Sequence, residues 1–164
     1  MAIINNFLVG LVSFTGLIFG TFIAQLVKEE LKPGHKYFIA FKDLLLLIII
    51  GILLYYSRNN FLFLIIGLVL GLLLGRSLKN LYFYLGLGMA SSFFLFKEIL
   101  MGSLIFLTGL PHGTLISNLK KKELKNYVIK SLIFFLIPFI SLIFNINTGV
   151  YPGLMIGGLI YHLK

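Results

Sequence analysis

Thr15-Gly16-Leu17-Ile18-Phe19-Gly20-Thr21-Phe22-Ile23-Ala24-Gln25-Leu26-Val27-Lys28-Glu29-Glu30-Leu31-Lys32 returns 93 positions later as Thr108-Gly109-Leu110-Pro111-His112-Gly113-Thr114-Leu115-Ile116-Ser117-Asn118-Leu119-Lys120-Lys121-Lys122-Glu123-Leu124-Lys125. The two share T-G-L-x-x-G-T-x-I-x-x-L-x-K-x-E-L-K, 11 identities in 18 positions. In so apolar a chain, matched Gly and Thr say more than matched Leu. The pattern reads as an internal repeat. Gly67-Leu68-Val69-Leu70-Gly71 likewise matches Gly153-Leu154-Met155-Ile156-Gly157 at an offset of 86.

The chain has 164 residues, 59% of them hydrophobic and only 12% charged. A soluble domain of this size could not bury that much apolar surface. The apolar residues form long runs rather than alternating or amphipathic patterns, so the solvent is a bilayer and each run is a candidate spanning helix, not a barrel strand. No polar stretch is long enough for a soluble domain. A cleavable signal peptide is not expected, because the first apolar stretch lacks a basic flank and is too long. The bias to Ile, Leu, Phe, Lys, Asn and Tyr suggests an AT-rich, prokaryotic genome. With no Cys there is no disulfide or thiol chemistry.

Seven helices are expected, at about residues 3–28, 38–56, 61–75, 81–96, 99–119, 127–144 and 149–163. Glu29 to Tyr37, with its Pro33-Gly34 turn signal, and Lys120 to Lys125 are expected as polar loops. Read as one helix, Leu81 to Ser117 would be about 55 Å long, against a hydrocarbon core of about 30 Å. At the repeat offset, Lys97-Glu98 falls at the start of the first helix, so the break is expected there. The chain then divides into a first three-helix repeat (1–80), a linker helix (81–96) and a second three-helix repeat (97–164).

Basic residues choose between spans. Seven helices put Lys28, Lys32, Lys36, Lys42, Arg76, Lys79, Lys120, Lys121, Lys122, Lys125, Lys130 and Lys164 on one side, leaving only Arg58 and Lys97 on the other. The alternative, six helices as a 3+3 inverted repeat, divides them almost evenly and leaves Lys97 in the membrane. The expectation is a multi-pass cell-membrane protein, N-terminus outside and C-terminus cytoplasmic, with the repeats parallel. This three-one-three layout resembles that of the SWEET-type sugar transporters and their half-sized relatives. Their Pro-Gln signature is absent here: the first repeat has no proline at that place, and the second has Pro111 followed by His112. No residue role is carried over.

The formal net charge of +9 sits at helix ends, which points to anionic lipid head groups, with Lys120, Lys121 and Lys122 as contacts, and not to nucleic acid. A homo-oligomer or other membrane subunits are further possible partners. Gly16, Gly20, Gly109, Gly113, Gly67 and Gly71 are small-xxx-small faces for close helix packing. Thr21 and Gln25 with Lys28, and Thr114 and Asn118 with Lys121, form two matching polar lines, read either as hydrogen bonding between helices or as part of a substrate pathway. His112, following Pro111 and one turn from Thr108, is either a core histidine or a pathway residue, with Pro111 as a hinge. Ion pairs Glu30–Lys125 and Glu123–Lys32 are expected between the basic segments. His35 and His162 read as interfacial. Three scattered His make no metal site, and no cofactor is expected. Catalytic motifs are missing, so an enzyme is not expected. The leading expectation is a transporter for a small solute or lipid-like substrate, working by alternating access between the triplets. The alternative is a non-transporting assembly, lipid-binding or scaffold protein.

Overall fold

In the computed structural model, residues 2–27, 31–94, 97–143 and 149–163 are described. They form seven α-helices: α1 (Ala2–Leu26), α2 (Leu31–Ser57), α3 (Phe61–Ser77), α4 (Leu81–Phe94), α5 (Glu98–Ile116), α6 (Lys121–Ile143) and α7 (Tyr151–Ile160). The fold is all-helical, and three of the helices are long and apolar enough to cross a membrane, over Phe7–Leu26, Pro33–Ser57 and Glu98–Ile116. At 1.5 Å per residue α3, α4 and α7 are about 25, 21 and 15 Å long, short of the about 30 Å hydrocarbon core.

Residues 31–37 and 121–125 of the two expected loops are helical instead. α2 begins at Leu31 and takes Pro33 into its first turn, where no N–H has an acceptor within the helix, so proline costs nothing there. α6 begins at Lys121, and its exposed Lys121, Lys122, Glu123 and Lys125 stay solvated on the first turns. The expected break at Lys97 is present: Lys97 stands before α5, and Glu98 occupies the first turn, where a carboxylate complements the helix dipole. α4 is started by Asn80, whose side-chain oxygen accepts from the Tyr82 N–H at 3.0 Å, as an N-cap does.

Glycines decide which helices touch. A Cβ on Gly20 would collide with the carbonyl oxygen of Leu110, and one on Gly113 with that of Leu17. Gly16 lies against Phe106 and Gly109, Gly20 against Gly109, Leu110 and Gly113. A step of four residues along α1 is therefore matched by four along α5, so the two helices run in the same direction, backbone on backbone. α3 and α7 pair in the same way: Gly67 lies against Val150, Gly153 and Leu154, and Gly71 against Leu154. In turn, Gly153 meets Leu64 and Gly157 meets Leu68.

The other principal contacts set α2 on α5 and α7, and α4 on α6, α7 and α5. From Leu81 to Ser92 every α4 residue except Phe83 is buried. Gly86 admits the Phe135 carbonyl of α6, and Gly158 of α7 admits the Tyr84 ring. The core gathers Phe14, Tyr82, Leu85, Met89, Ile105, Phe135 and Met155 around α4. α3, by contrast, exposes Phe61, Leu62, Ile66, Val69 and Leu73, an apolar outer face suited to lipid.

Candidate functional site

Most of the polar candidates on the α1–α5 interface are satisfied inside their own helices. The Thr21 hydroxyl donates to the Ile18 carbonyl at 2.7 Å, Thr108 to Leu104 at 2.8 Å and Thr114 to Pro111 at 2.7 Å. All three threonines are buried. Their back-bonding leaves the glycine interface without a demand for partners from the facing helix. Gln25 and Asn118 are exposed. They come together with Ala24, Leu31, His35, Lys36 and Ser117 around an open cleft of about 570 Å³ between the end of α1, the start of α2 and the end of α5. The two polar lines thus divide: threonines into the helix contact, amides into the cleft. Lys28 and Glu30 lie outside the described residues, as does the Lys32 side chain, and with them the expected Glu30–Lys125 and Glu123–Lys32 pairs.

His112 leads elsewhere. α5 finishes at Ile116, so His112 sits one turn from the helix end. Its Nε2 is 2.9 Å from the Tyr127 hydroxyl of α6. Its ring meets the Tyr82 ring of α4 edge-on, with centroids 5.7 Å apart. Lys42 and His162 are both within electrostatic reach of it. Phe19, which occupies the corresponding place in the first related stretch, is exposed and packs on Phe106.

Lys42 is the residue that sequence reading passed over as one more interfacial cation. It is only 6% exposed. Its ammonium lies 3.0 Å from the Asp43 carboxylate and donates to the His162 carbonyl at 3.0 Å. His162, just beyond α7, lays its ring beside that of Tyr84, centroids 5.9 Å apart. Burial, and secondarily the nearby Lys42 charge, lower its pKa to about 4. The signal for Lys42 was faint: a Lys-Asp pair one turn into an apolar run, with no partner visible in the sequence.

One polar cluster in two adjoining parts draws on five helical segments: Tyr82 of α4, His112 of α5 and Tyr127 of α6 touch one another, and Lys42 and Asp43 of α2, Tyr84 of α4 and His162 after α7 form the second part. It occupies the end where α2, α4 and α6 begin and α5 and α7 finish. α3 finishes there too, since Arg76 Nε donates to the Tyr161 hydroxyl at 3.2 Å. Three of the cluster's buried polar atoms make no hydrogen bond: Tyr82 Oη, His112 Nδ1 and His162 Nε2. Ser131 Oγ, one turn beyond Tyr127 on α6, is a further buried polar atom without a hydrogen bond, and each such atom costs free energy where it is buried. Lys42 is seven residues beyond His35, two turns along the same face of α2, so the cluster lies about 10 Å deeper than the cleft along that helix. Comparison with protein-family models, curated proteins and solved structures finds no match for this chain.

Proposed function

We propose that this protein is a small integral membrane transporter for a small solute or lipid-like substrate, admitted from the cleft and held at the buried cluster of Lys42, Tyr82, His112 and His162. The observation that carries the reading is the set of partnerless buried polar atoms, Tyr82 Oη, His112 Nδ1 and His162 Nε2, at the same end of the bundle as an open cleft lined from α1, α2 and the end of α5. An inner binding place with a vestibule above it is the arrangement alternating access requires.

In this reading seven helices cross as three, one and three, the cluster end faces the cytoplasm, and the related stretches are parallel repeats. The same-direction pairing of α1 with α5 and of α3 with α7 supports it, as does the excess of Lys and Arg at the cluster end. The short helices are accommodated by thinning of the bilayer around them and by flanking Lys and Arg side chains that reach the interface. Since the α1–α5 and α3–α7 glycine contacts each join one triplet to the other, the moving bodies are the α1–α5 pair and the α3–α7 pair, sliding past one another, with Pro111 as the hinge. No catalytic chemistry is assigned.

A second reading, a scaffold or lipid-binding protein that transports nothing, is favoured by those same backbone-tight contacts between triplets, which resist separation. Uptake into proteoliposomes separates the two. The purified full chain is tested against a panel of labelled sugars, amino acids and phosphates. Saturable uptake that falls at least tenfold in His112→Phe, the residue present at position 19, supports transport. No uptake of any panel member favours the scaffold, whereas saturable uptake equal in the variant keeps transport and removes His112 from the binding place.

A further inference from the structure

We infer that the Lys42–Tyr82–His112–His162 cluster is an oxyanion site that takes the phosphate or carboxylate group of its ligand. This rests on the transport reading for the ligand's presence but not for its chemistry, which follows from the donors and acceptors at hand.

Lys42 is a donor only, with three N–H groups; one donates to the His162 carbonyl and the ammonium also forms an ion pair with the Asp43 carboxylate, which leaves donor capacity for a ligand. Tyr82, wholly buried, has a hydroxyl with no partner. Each histidine also holds one ring nitrogen without a partner, His112 Nδ1 and His162 Nε2. If the Tyr127 hydroxyl donates to His112 Nε2, the other nitrogen, Nδ1, carries the hydrogen and becomes a donor. The groups offered to a ligand at this end are therefore an ammonium, a phenol and the His112 N–H, with the second imidazole, that of His162, on the Lys42 side; ammonium, phenol and imidazole N–H are the donors that recognise a phosphate or carboxylate oxygen.

A cation fits the same place badly. Asp43 is the one carboxylate of the cluster among the described residues, and Lys42 already pairs with it. Glu123 is exposed on the surface at the same end, and Glu98 begins α5 at the opposite end. No group of three or more metal-ligating side chains forms among the described residues. A neutral sugar would need carboxylate or amide acceptors for its hydroxyls, and the cluster supplies no amide. Gln25 and Asn118, the amides of this end, lie out in the cleft. Tyr82 Oη, His112 Nδ1 and His162 Nε2 are closed to solvent, so in this reading an anion enters as α2 and α5 part below the cleft.

The phosphate group has two sources, a soluble ion or a lipid head group, and the experiment separates them. The full chain, reconstituted in phosphatidylcholine nanodiscs, is titrated with labelled inorganic phosphate. In a second arm, binding is measured as recruitment of labelled phosphatidic acid into the protein-bearing nanodiscs. Tyr82→Phe keeps the ring and removes only the hydroxyl. It is expected to raise thermal stability, since it deletes a buried partnerless group, and to weaken anion binding about tenfold or more, since a hydrogen bond to a charged group is lost. That pairing of opposite signs is what a purely structural hydroxyl would not produce. Tyr55→Phe, which removes an exposed hydroxyl near the far end of α2, serves as the folded control with binding within about twofold.

Saturable binding of phosphate that Tyr82→Phe weakens supports a soluble anion; binding in the phosphatidic acid arm alone supports a lipid head group. Absence of binding in both arms by a monodisperse, helical protein overturns the inference, as does binding that Tyr82→Phe leaves unchanged. Anion binding without uptake would retain the site and remove the transport reading. Uptake of a neutral or cationic solute with no anion binding would do the reverse.

Discussion

The Lys42 ammonium donates to the main-chain carbonyl of His162 across 120 residues of sequence, at 3.0 Å. One side chain near the start of α2 thereby closes the end of α7, where helix carbonyls have no partner within the helix and a cation is favoured. With Asp43 beside it, the lysine is neutralised where it is buried. Replacing Lys42 by Met removes the cation paired with Asp43, whose side chain is only 14% exposed. Lys42→Met is expected to cost about 3–5 kcal/mol, and Lys42→Met with Asp43→Asn to regain most of it. Thermal unfolding in one detergent measures both; equal loss in the single and double variants would show that the ion pair is not the reason Lys42 is buried.

His162 gives stability a pH dependence whose sign is fixed. Its folded pKa of about 4 lies below the ordinary 6.5. Between those values the unfolded chain binds a proton that the folded chain refuses. Stability is therefore expected to be unaffected by this group above about pH 6.5, to fall as the pH drops towards 4, and to level off below. His162→Gln removes the titration. Comparing both proteins at pH 7 and pH 4.5 cancels every other group; identical losses on acidification would refute the assignment.

Glycines differ in what they tolerate. A side chain on Gly113 would strike the Leu17 carbonyl, whereas Gly51 on α2 faces open space. Gly113→Val is expected to separate α1 from α5 and prevent stable folding, read as loss of a monodisperse elution peak. Gly51→Ala is expected to add about 0.4–1 kcal/mol by restricting the unfolded chain. Comparable behaviour of the two variants would mean that the α1–α5 contact is looser than its geometry.

The absence of Cys makes the membrane orientation directly measurable. Single cysteines at Lys36, Asn60, Lys97 and Lys122 are labelled from each side of intact cells. Lys36 and Lys122 are expected inside, Asn60 and Lys97 outside. Lys36 and Lys122 on opposite sides would rule out seven parallel-repeat spans and favour the six-helix inverted repeat.

The helices and the break at Lys97 were legible because their cause is local. Apolar runs form helices in an apolar solvent, and a Lys-Glu pair interrupts one run too long for the bilayer. The starts of α2 and α6 were not, because Pro33 and Lys121 signal a turn or a loop in isolation yet are tolerated in a first turn that continues into a long apolar helix. The four-residue spacing of Gly16 and Gly20, and of Gly109 and Gly113, marked faces open to close approach. Spacing alone does not name the helix that approaches.

By itself, then, the sequence determined an all-helical, membrane-seeking chain with its basic residues gathered at one set of helix ends, since hydropathy and charge are properties of each stretch alone. Tertiary structure decided which backbones interlock, that Thr21, Thr108 and Thr114 turn back on their own helices, and that Tyr82 meets His112 while Lys42 meets His162. Those residues lie up to 120 positions apart on separate helices. Their convergence is a consequence of helix pairing, which depends on the shapes of facing surfaces and leaves no periodic trace along the chain.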